Sequence, residues 1–383
     1  MFKTLGFTVC SLLSVSVAAS EFYNAKNLAL GGVGVAGGDF RHSALVNPAL
    51  VNGSTDEKPT NLGVSIGLLV SDEDELLRNA NDLEEELEDV DDSVPSDSEA
   101  EDIVNLLNDL DSAAAILEFG VYFQAALPSD YLSIALLVNS MSDSYFTTNI
   151  DPADIAAINA AAGTSVYDVD TMTSEISVLD MGVNEYGVAL GKTFAAGNTS
   201  IGIGITPKFQ RVIIYDYAAT VDNYDSDDIH DNRNRSKDSH VNADAGIHFA
   251  FNESLLLGVV AKNVIEEEFD TDINRRLDME TRVTAGLAHR SGGNLLELDV
   301  DLDSAKEFTS QIETQMVRFG VQLDTFDWAA LRFGARHDLE DNQDDLFTFG
   351  LGFNPWGLTS FDLAAVIGEN ETAGFVAQFS FQF

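Results

Sequence analysis

Cysteine is almost absent from this chain: among 383 residues the single thiol is Cys10, and it sits inside the first apolar run. No second long apolar run follows. Basic side chains are also scarce, with 20 Lys and Arg against 64 Asp and Glu and a formal net charge of −44. Each shortage excludes something. One thiol gives no disulfide and no Cys-based metal site. Without a further run of about twenty apolar residues there is no spanning helix. So acidic a chain repels phosphates, which excludes a general nucleic-acid surface. No Gly-x-Ser-x-Gly segment occurs, and His42, His230, His240, His248, His289 and His337 are scattered, so no nucleophile, base and orienting group can be assembled. No catalytic residue is assigned, and the chain is read as a non-enzyme.

What is present begins with Lys3 and the apolar run Leu5 to Ala19, closed by Ala18, Ala19 and Ser20. That is the pattern of a secretory signal peptide over residues 1–20, with cleavage expected before Ser20 or Glu21. Cys10 leaves with it. Lipidation there is disfavoured because Val9 stands where a small residue is wanted. Loss of Lys3 moves the net charge by one, from −44 to −45. Hydrophobic residues make up 45% and charged ones 22%, at a mean hydropathy of +0.00. That average fits a soluble protein and also a transmembrane barrel, whose short alternating strands keep hydropathy low. Pattern must therefore decide.

From about residue 61 onward the recurring unit is a run of ten or so residues with apolar side chains on one parity. Phe375, Ala377, Phe379, Phe381 and Phe383 alternate with Val376, Gln378, Ser380 and Gln382; Phe347, Phe349, Leu351 and Phe353 alternate with Thr348, Gly350, Gly352 and Asn354. Ile201, Ile203 and Ile205 likewise alternate with Gly202, Gly204 and Thr206. A soluble sandwich also alternates, but here the polar parity collects Gly and isolated charges, as a barrel interior would. Strands are expected near 61–70, 117–127, 131–140, 183–194, 199–215, 239–251, 254–264, 278–290, 295–303, 311–323, 328–337, 345–353, 359–368 and 373–383. The fold class is thus all-β, an antiparallel transmembrane barrel of about fourteen strands over residues 61–383. Short turns at 355–357, 325–327, 291–294, 252–253, 196–198 and 128–130 alternate with mostly longer connections, which the topology of bacterial barrels places outside the cell.

Two of those connections, about 71–116 and 141–182, carry helical spacing at 73–90, 101–117 and 152–162, with Pro95 dividing the first pair. They are expected to cap the barrel mouth or to form a solvated acidic insertion. The runs Asp225–Asp228, Glu266–Glu268 and Asp341–Asp345 offer oxygen ligands, but none has the twelve-residue calcium-loop pattern. No metal site and no cofactor are assigned. Diffuse cation association, bridging to lipopolysaccharide, is the expectation.

Asn24-Ala25-Lys26-Asn27-Leu28-Ala29-Leu30-Gly31-Gly32-Val33-Gly34-Val35-Ala36-Gly37-Gly38, followed by Asn47-Pro48-Ala49-Leu50, resembles the N-terminal plug of the FadL-like outer-membrane transporters. The opening is most similar to the TraF-like branch, the conjugal transfer TraF family. The match is specific over 24–50 and rests elsewhere on strand number and the terminal Phe. The resemblance implies a fourteen-stranded barrel in the cell outer membrane. Residues 21–60 would fold inside it as a hatch, and the ligand would be a hydrophobic small molecule. Gly31, Gly32, Gly34, Gly37 and Gly38 would permit positive φ, and Pro48 would fix a turn beside Asn47 and Ala49. The alternative is a periplasmic tail.

Parity also proposes an interior charge ladder. Glu297, Asp299, Asp301 and Asp303 share one face, Glu280 and Arg282 stand on the preceding strand, and Arg318, Arg332 and Arg336 on those that follow. Strands lie about 4.8 Å apart, so these charges can meet. The ladder could set a transverse field in a pore, dock the plug, or simply pair its own charges. Asp244, His248 and Lys262 read as lumenal polar filling. Phe379, Phe381 and Phe383 form a C-terminal row suited to the barrel-insertion machinery and then to lipid. Two functions follow as expectations: conduction of a hydrophobic or amphipathic small molecule, or a structural role in an envelope machine with a link to conjugation.

Overall fold

The computed structural model describes residues 24–41, 43–52, 60–72, 75–273, 275–368 and 372–383; the expected signal peptide lies outside the described residues. Its strands are β1 (Asn61–Ser71), β2 (Ala114–Leu127), β3 (Ser133–Asn149), β4 (Glu175–Ala196), β5 (Thr199–Thr220), β6 (Arg235–Ala250), β7 (Leu255–Lys262), β8 (Glu267–Asp270), β9 (Arg276–Met279), β10 (Arg282–Ser291), β11 (Asn294–Asp301), β12 (Ala305–Lys306), β13 (Glu313–Thr314), β14 (Met316–Phe326), β15 (Ala329–Asp338), β16 (Leu346–Phe353), β17 (Thr359–Gly368) and β18 (Ala373–Gln382). Its helices are α1 (Ala25–Leu28), α2 (Leu76–Val90), α3 (Asp97–Asp109) and α4 (Pro152–Ala161). All strands except the β8–β9 and β12–β13 pairs form one closed antiparallel barrel of 14 strands, with β18 hydrogen-bonded to β1. This is the expected fold, and each of the fourteen sequence windows overlaps one barrel strand, although β3, β4, β5 and β6 run well beyond theirs.

The outer surface shows why the strands alternate. Val138 pairs with Tyr186, Tyr186 with Phe209 and Phe209 with Val241, all exposed. On the far side Phe349 lies between Phe333 and Ala365, and Phe379 between Val64 and Phe361. These rows make the apolar belt that a bilayer covers, while the opposite parity is buried inside. At the short-turn end, aromatic rings gather: Phe326 stacks on Trp328 at 5.5 Å, Trp328 on Phe353 at 6.3 Å and Phe381 on Phe383 at 5.8 Å. Such a girdle marks the membrane interface.

The wall is uneven. β7 and β11 have 8 residues each, whereas β4 and β5 have 22. At about 3.3 Å per residue the long pair runs about 70 Å, far beyond a 30 Å hydrocarbon core even when tilted. β2 to β6 therefore project outside as a curved wall, and each of its faces is covered in part. On the outer parity, Ala115, Phe146, Val178 and Tyr217 pack against Leu83, Leu87, Ile103, Leu107 and Ile158 of α2, α3 and α4. On the inner parity, Leu179, Met181, Val183, Val212 and Ile214 pack against Phe269, Leu277, Met279 and Phe308 from the β8–β9 and β12–β13 connections.

Two expectations change here. The helices do not cap the mouth, because their apolar stripes are spent on the outside of the wall; the two small hairpins cover it instead. The second helix begins at Asp97 and ends at Asp109, earlier than the expected 101–117. Ser96 and Glu99 form a reciprocal capping box that fixes its start, and β2 takes the chain from Ala114 onward.

Candidate functional site: the occupied lumen

Residues 24–41 and 43–52 lie inside the ring of strands. Short local motifs shape the segment. Asn24 caps α1 by accepting from the Lys26 and Asn27 amides, and Asn27 Nδ2 donates to the Val33 carbonyl at 2.6 Å. Asn47 Oδ1 accepts from the Ala49 amide at 3.0 Å, and its Nδ2 donates to the Val35 carbonyl at 2.8 Å. Asn47-Pro48-Ala49 is thus a capped 3-10 turn at Pro48–Leu50 that ties two stretches of the segment together. Gly31, Gly32 and Gly34 adopt φ of 74°, 90° and 154°, as their residue type allows. Gly37 and Gly38 do not have positive φ, contrary to expectation. They are needed for closeness: a Cβ on Gly37 would sit 2.5 Å from Glu297 Oε2, and one on Gly38 would sit 2.6 Å from the Gly34 carbonyl.

The barrel receives this segment with a belt of inward glycines. Gly191 pairs with Gly204 and Gly204 with Gly246; Gly258 pairs with Gly286, and Gly320 with Gly334. At Gly204 an added Cβ would lie 2.5 Å from the Ala49 nitrogen, and at Gly334 it would lie 2.6 Å from Gly31 Cα. The backbone of the N-terminal segment fills the space that side chains would otherwise occupy.

Where the belt is interrupted at β11, carboxylates replace glycine. Asp299 Oδ2 accepts from the Gly34 and Val35 amides at 2.8 and 3.0 Å, and Glu297 Oε1 from the Ala36 and Gly37 amides at 2.8 and 2.6 Å. Thr348 Oγ1 accepts from the Gly31 amide at 2.8 Å, Gln378 Oε1 from the Ala25 amide at 3.0 Å, and Arg290 donates to the Gly37 carbonyl at 3.0 Å. His248 Nε2 lies 3.1 Å from the Ala36 carbonyl.

The expected charge ladder divides into separate groups. Asp301 is held between Arg282 at 2.9 Å and Arg318 at 2.8 Å. Glu297 and Asp299 serve backbone amides, as just described. Arg332 turns away to Asp362 at 2.6 Å. Arg336 lines the cavity above the segment. Glu280 and Asp303 leave the ladder, since β10 starts at Arg282 and β11 ends at Asp301: Glu280 accepts the Lys306 amide, and Asp303 is exposed in the turn. The early end of β11 follows from the β12–β13 hairpin that leaves from it.

A buried ion cluster escaped the sequence reading. Lys208 Nζ lies 3.0 Å from Glu185 and 2.9 Å from Asp244, with Asn139 and Gln210 donating to Glu185 and the Asn263 amide to Asp244. Interior parity on the expected strands 183–194 and 199–215 would have pointed to Glu185 and Lys208. This cluster, Leu45, Arg318, Arg336 and the hairpin residues Met279 and Phe308 line a chamber of about 110 Å³. Its floor is the N-terminal segment and its roof the hairpins. Thr309 Oγ1 holds the roof to Asp143 of β3, and Thr271 Oγ1 donates to Asp216 of β5 at 2.6 Å.

The chain is thus a closed antiparallel barrel of 14 strands with an apolar outer belt and a lumen occupied by its own N-terminal segment. The family model described as "F plasmid transfer operon, TraF, protein" matches residues 44–303, more than half of the sequence, and the chain belongs to that family. No curated protein matches the chain. Among solved structures, the Pseudomonas putida toluene transporter TodX superposes with a TM-score of 0.54 at 11% identity, covering 96% of this chain and 99% of TodX. A Pseudomonas aeruginosa FadL homologue gives 0.50 at 10% identity, covering 97% and 99%. At such identities these two structures speak for the fold.

Proposed function

We propose that the protein conducts a small amphipathic molecule across the outer membrane, with residues 24–52 as an internal gate and the β8–β9 and β12–β13 hairpins as an outer lid. The chamber between them carries this reading. Its walls are ionic at Lys208, Glu185, Asp244 and Arg318, while its roof offers Phe308 and Met279. A wholly apolar solute would strip water from charged groups without replacing it, which is costly. A solute with one polar end and an apolar body meets both surfaces. TodX, by its name a toluene transporter, supports the transport class; the charged walls here favour a cargo with a polar end.

The test locks the lid. Thr309→Cys with Asp143→Cys places two thiols where the hydroxyl and carboxylate now touch. In proteoliposomes, oxidation should abolish flux of an amphipathic solute such as a short-chain alkylamine oxide, and reduction should restore it. Equal flux in both states would refute the reading. The family's description favours a second one, a structural component of an envelope machine linked to plasmid transfer. That reading requires stoichiometric co-purification with other envelope proteins.

A further inference from the structure

On the outer parity of β3 to β6, the apolar row Val138–Tyr186–Phe209–Val241 is followed, one step further from the short turns, by Ser140–Asn184–Arg211–Ser239. The change from four apolar residues to four polar ones marks where the hydrocarbon ends. The next rows bring Ile213 opposite Lys237, then Tyr215 opposite Arg235. Arg211, Lys237 and Arg235 thus climb the outer wall directly above the lipid belt. Neighbours diagonal across strands or two apart along one lie about 7 Å from each other. Lys237 feels the positive charge of both Arg235 and Arg211. Among the described residues no acid forms an ion pair with any of the three. By contrast Arg233 in the loop above is taken by Asp228, and His230 by Asp180 at 2.8 Å.

This grouping is unusual for the molecule. Only 20 of its 383 residues are Lys or Arg, and 64 are acidic. Three cations grouped here face away from the barrel, and Asp180, the acid in the row of Tyr215 and Arg235, is already taken by His230, so they carry a repulsion that an anion would relieve. Depth and orientation identify the anion. Arg211 and Lys237 are exposed at the level where headgroups replace acyl chains, and Phe209, Tyr186 and Val241 offer apolar surface immediately below. We infer that Arg211, Lys237 and Arg235 form a binding site for the phosphates of an outer-leaflet glycolipid, whose acyl chains lie along Phe209 and Val241. Arg forks match phosphate oxygens in pairs, and Lys adds a point charge.

The experiment uses the full chain in mixed detergent micelles, with bisphosphorylated lipid A as the probe and native mass spectrometry as the readout. The wild type should retain lipid A, and the triple variant Arg211→Gln, Lys237→Gln, Arg235→Gln should bind it at least tenfold more weakly. Dephosphorylated lipid A should bind the wild type as weakly as the triple variant binds lipid A. Arg233→Gln should change nothing, and Arg211→Lys with Arg235→Lys should recover part of the affinity. Heat-modifiable gel mobility shows whether each variant is folded; if the triple variant fails to fold, Lys237→Gln alone carries the comparison, with a smaller expected loss. Undiminished lipid A binding by folded variants would overturn the site. So would displacement of lipid A by inorganic phosphate at matched phosphate concentration, which would make it a free-anion site.

Discussion

Two added methyl groups should unseat the N-terminal segment. Gly204→Ala places a carbon 2.5 Å from the Ala49 nitrogen, and closer still to the Pro48 carbonyl. Carbon packs at about 3.5–4.0 Å, so the turn must retreat by about 1 Å or more. It is backbone, with no rotamer to absorb the shift, and overpacking of this kind costs about 1–3 kcal/mol. Gly334→Ala does the same beneath Gly31, where the methyl would be 2.6 Å from Gly31 Cα. The sites lie on β5 and β15 with no shared partner, so their costs should add to about 2–6 kcal/mol. Against this stand the four amide bonds to Glu297 and Asp299, each worth about 0.5–1.5 kcal/mol net, a total of the same size as the cost. One methyl should leave the segment seated; two should bring seated and released states close enough for both to be populated. Planar-bilayer conductance should be near wild type in Gly204→Ala and several-fold higher at baseline in the double variant. Trypsin should cut after Lys26 and Arg41 only in the double variant, with barrel melting unchanged. Wild-type conductance and protection in the double variant would show that close packing against the glycine belt does not hold the segment.

Lys208→Met leaves Glu185 and Asp244 buried and unpaired, which should cost about 3–5 kcal/mol in urea unfolding; adding Glu185→Gln and Asp244→Asn should recover most of it. The Asp180 carboxylate accepts from His230 and raises its pKa above the ordinary 6.5. The pair's contribution is therefore full below about pH 6.5 and is lost as pH rises through the raised value. Proteolysis within residues 221–234 should accelerate from mildly acidic to mildly alkaline pH, and Asp180→Asn should remove that dependence. Phe383 exchanges both backbone hydrogen bonds with Thr60 at 3.0 Å, extending the β18–β1 seam. Deleting it should reduce membrane insertion, read by heat-modifiable mobility and fractionation, far more than Phe353→Ala; equal insertion would discard the C-terminal signal.

The barrel was legible because a lipid-facing wall repeats one instruction, apolar outward at period two, in every strand. Turn lengths then fixed the count independently. What escaped is where the repeat stops. β4 and β5 run on past the membrane with Val178 and Met181 both buried, because helices cover one face and hairpins the other, so alternation fades. The two-residue strands β12 and β13 are too short to show any period. In the lumen, Gly on the inward parity was visible, but not what approaches it. Gly37 looked like a turn residue and proved to be a point of contact with Glu297. Asp299 looked like a rung of an ion ladder and instead accepts backbone amides, a partner that carries no side-chain signature.

The hydrogen bond from Ala25 to Gln378 joins residues 353 apart in sequence, and those to Glu297 and Asp299 span 260 to 265. Such contacts have no closed counterpart until every strand between has paired, so loop-closure entropy defers them to the end of folding. Strand order therefore imposes a timetable. The stretch that precedes all fourteen strands gains its lumenal contacts late, after the strands between have paired. Its small residues and short capped turns suit that late arrival, since they form locally before any wall is present to hold them.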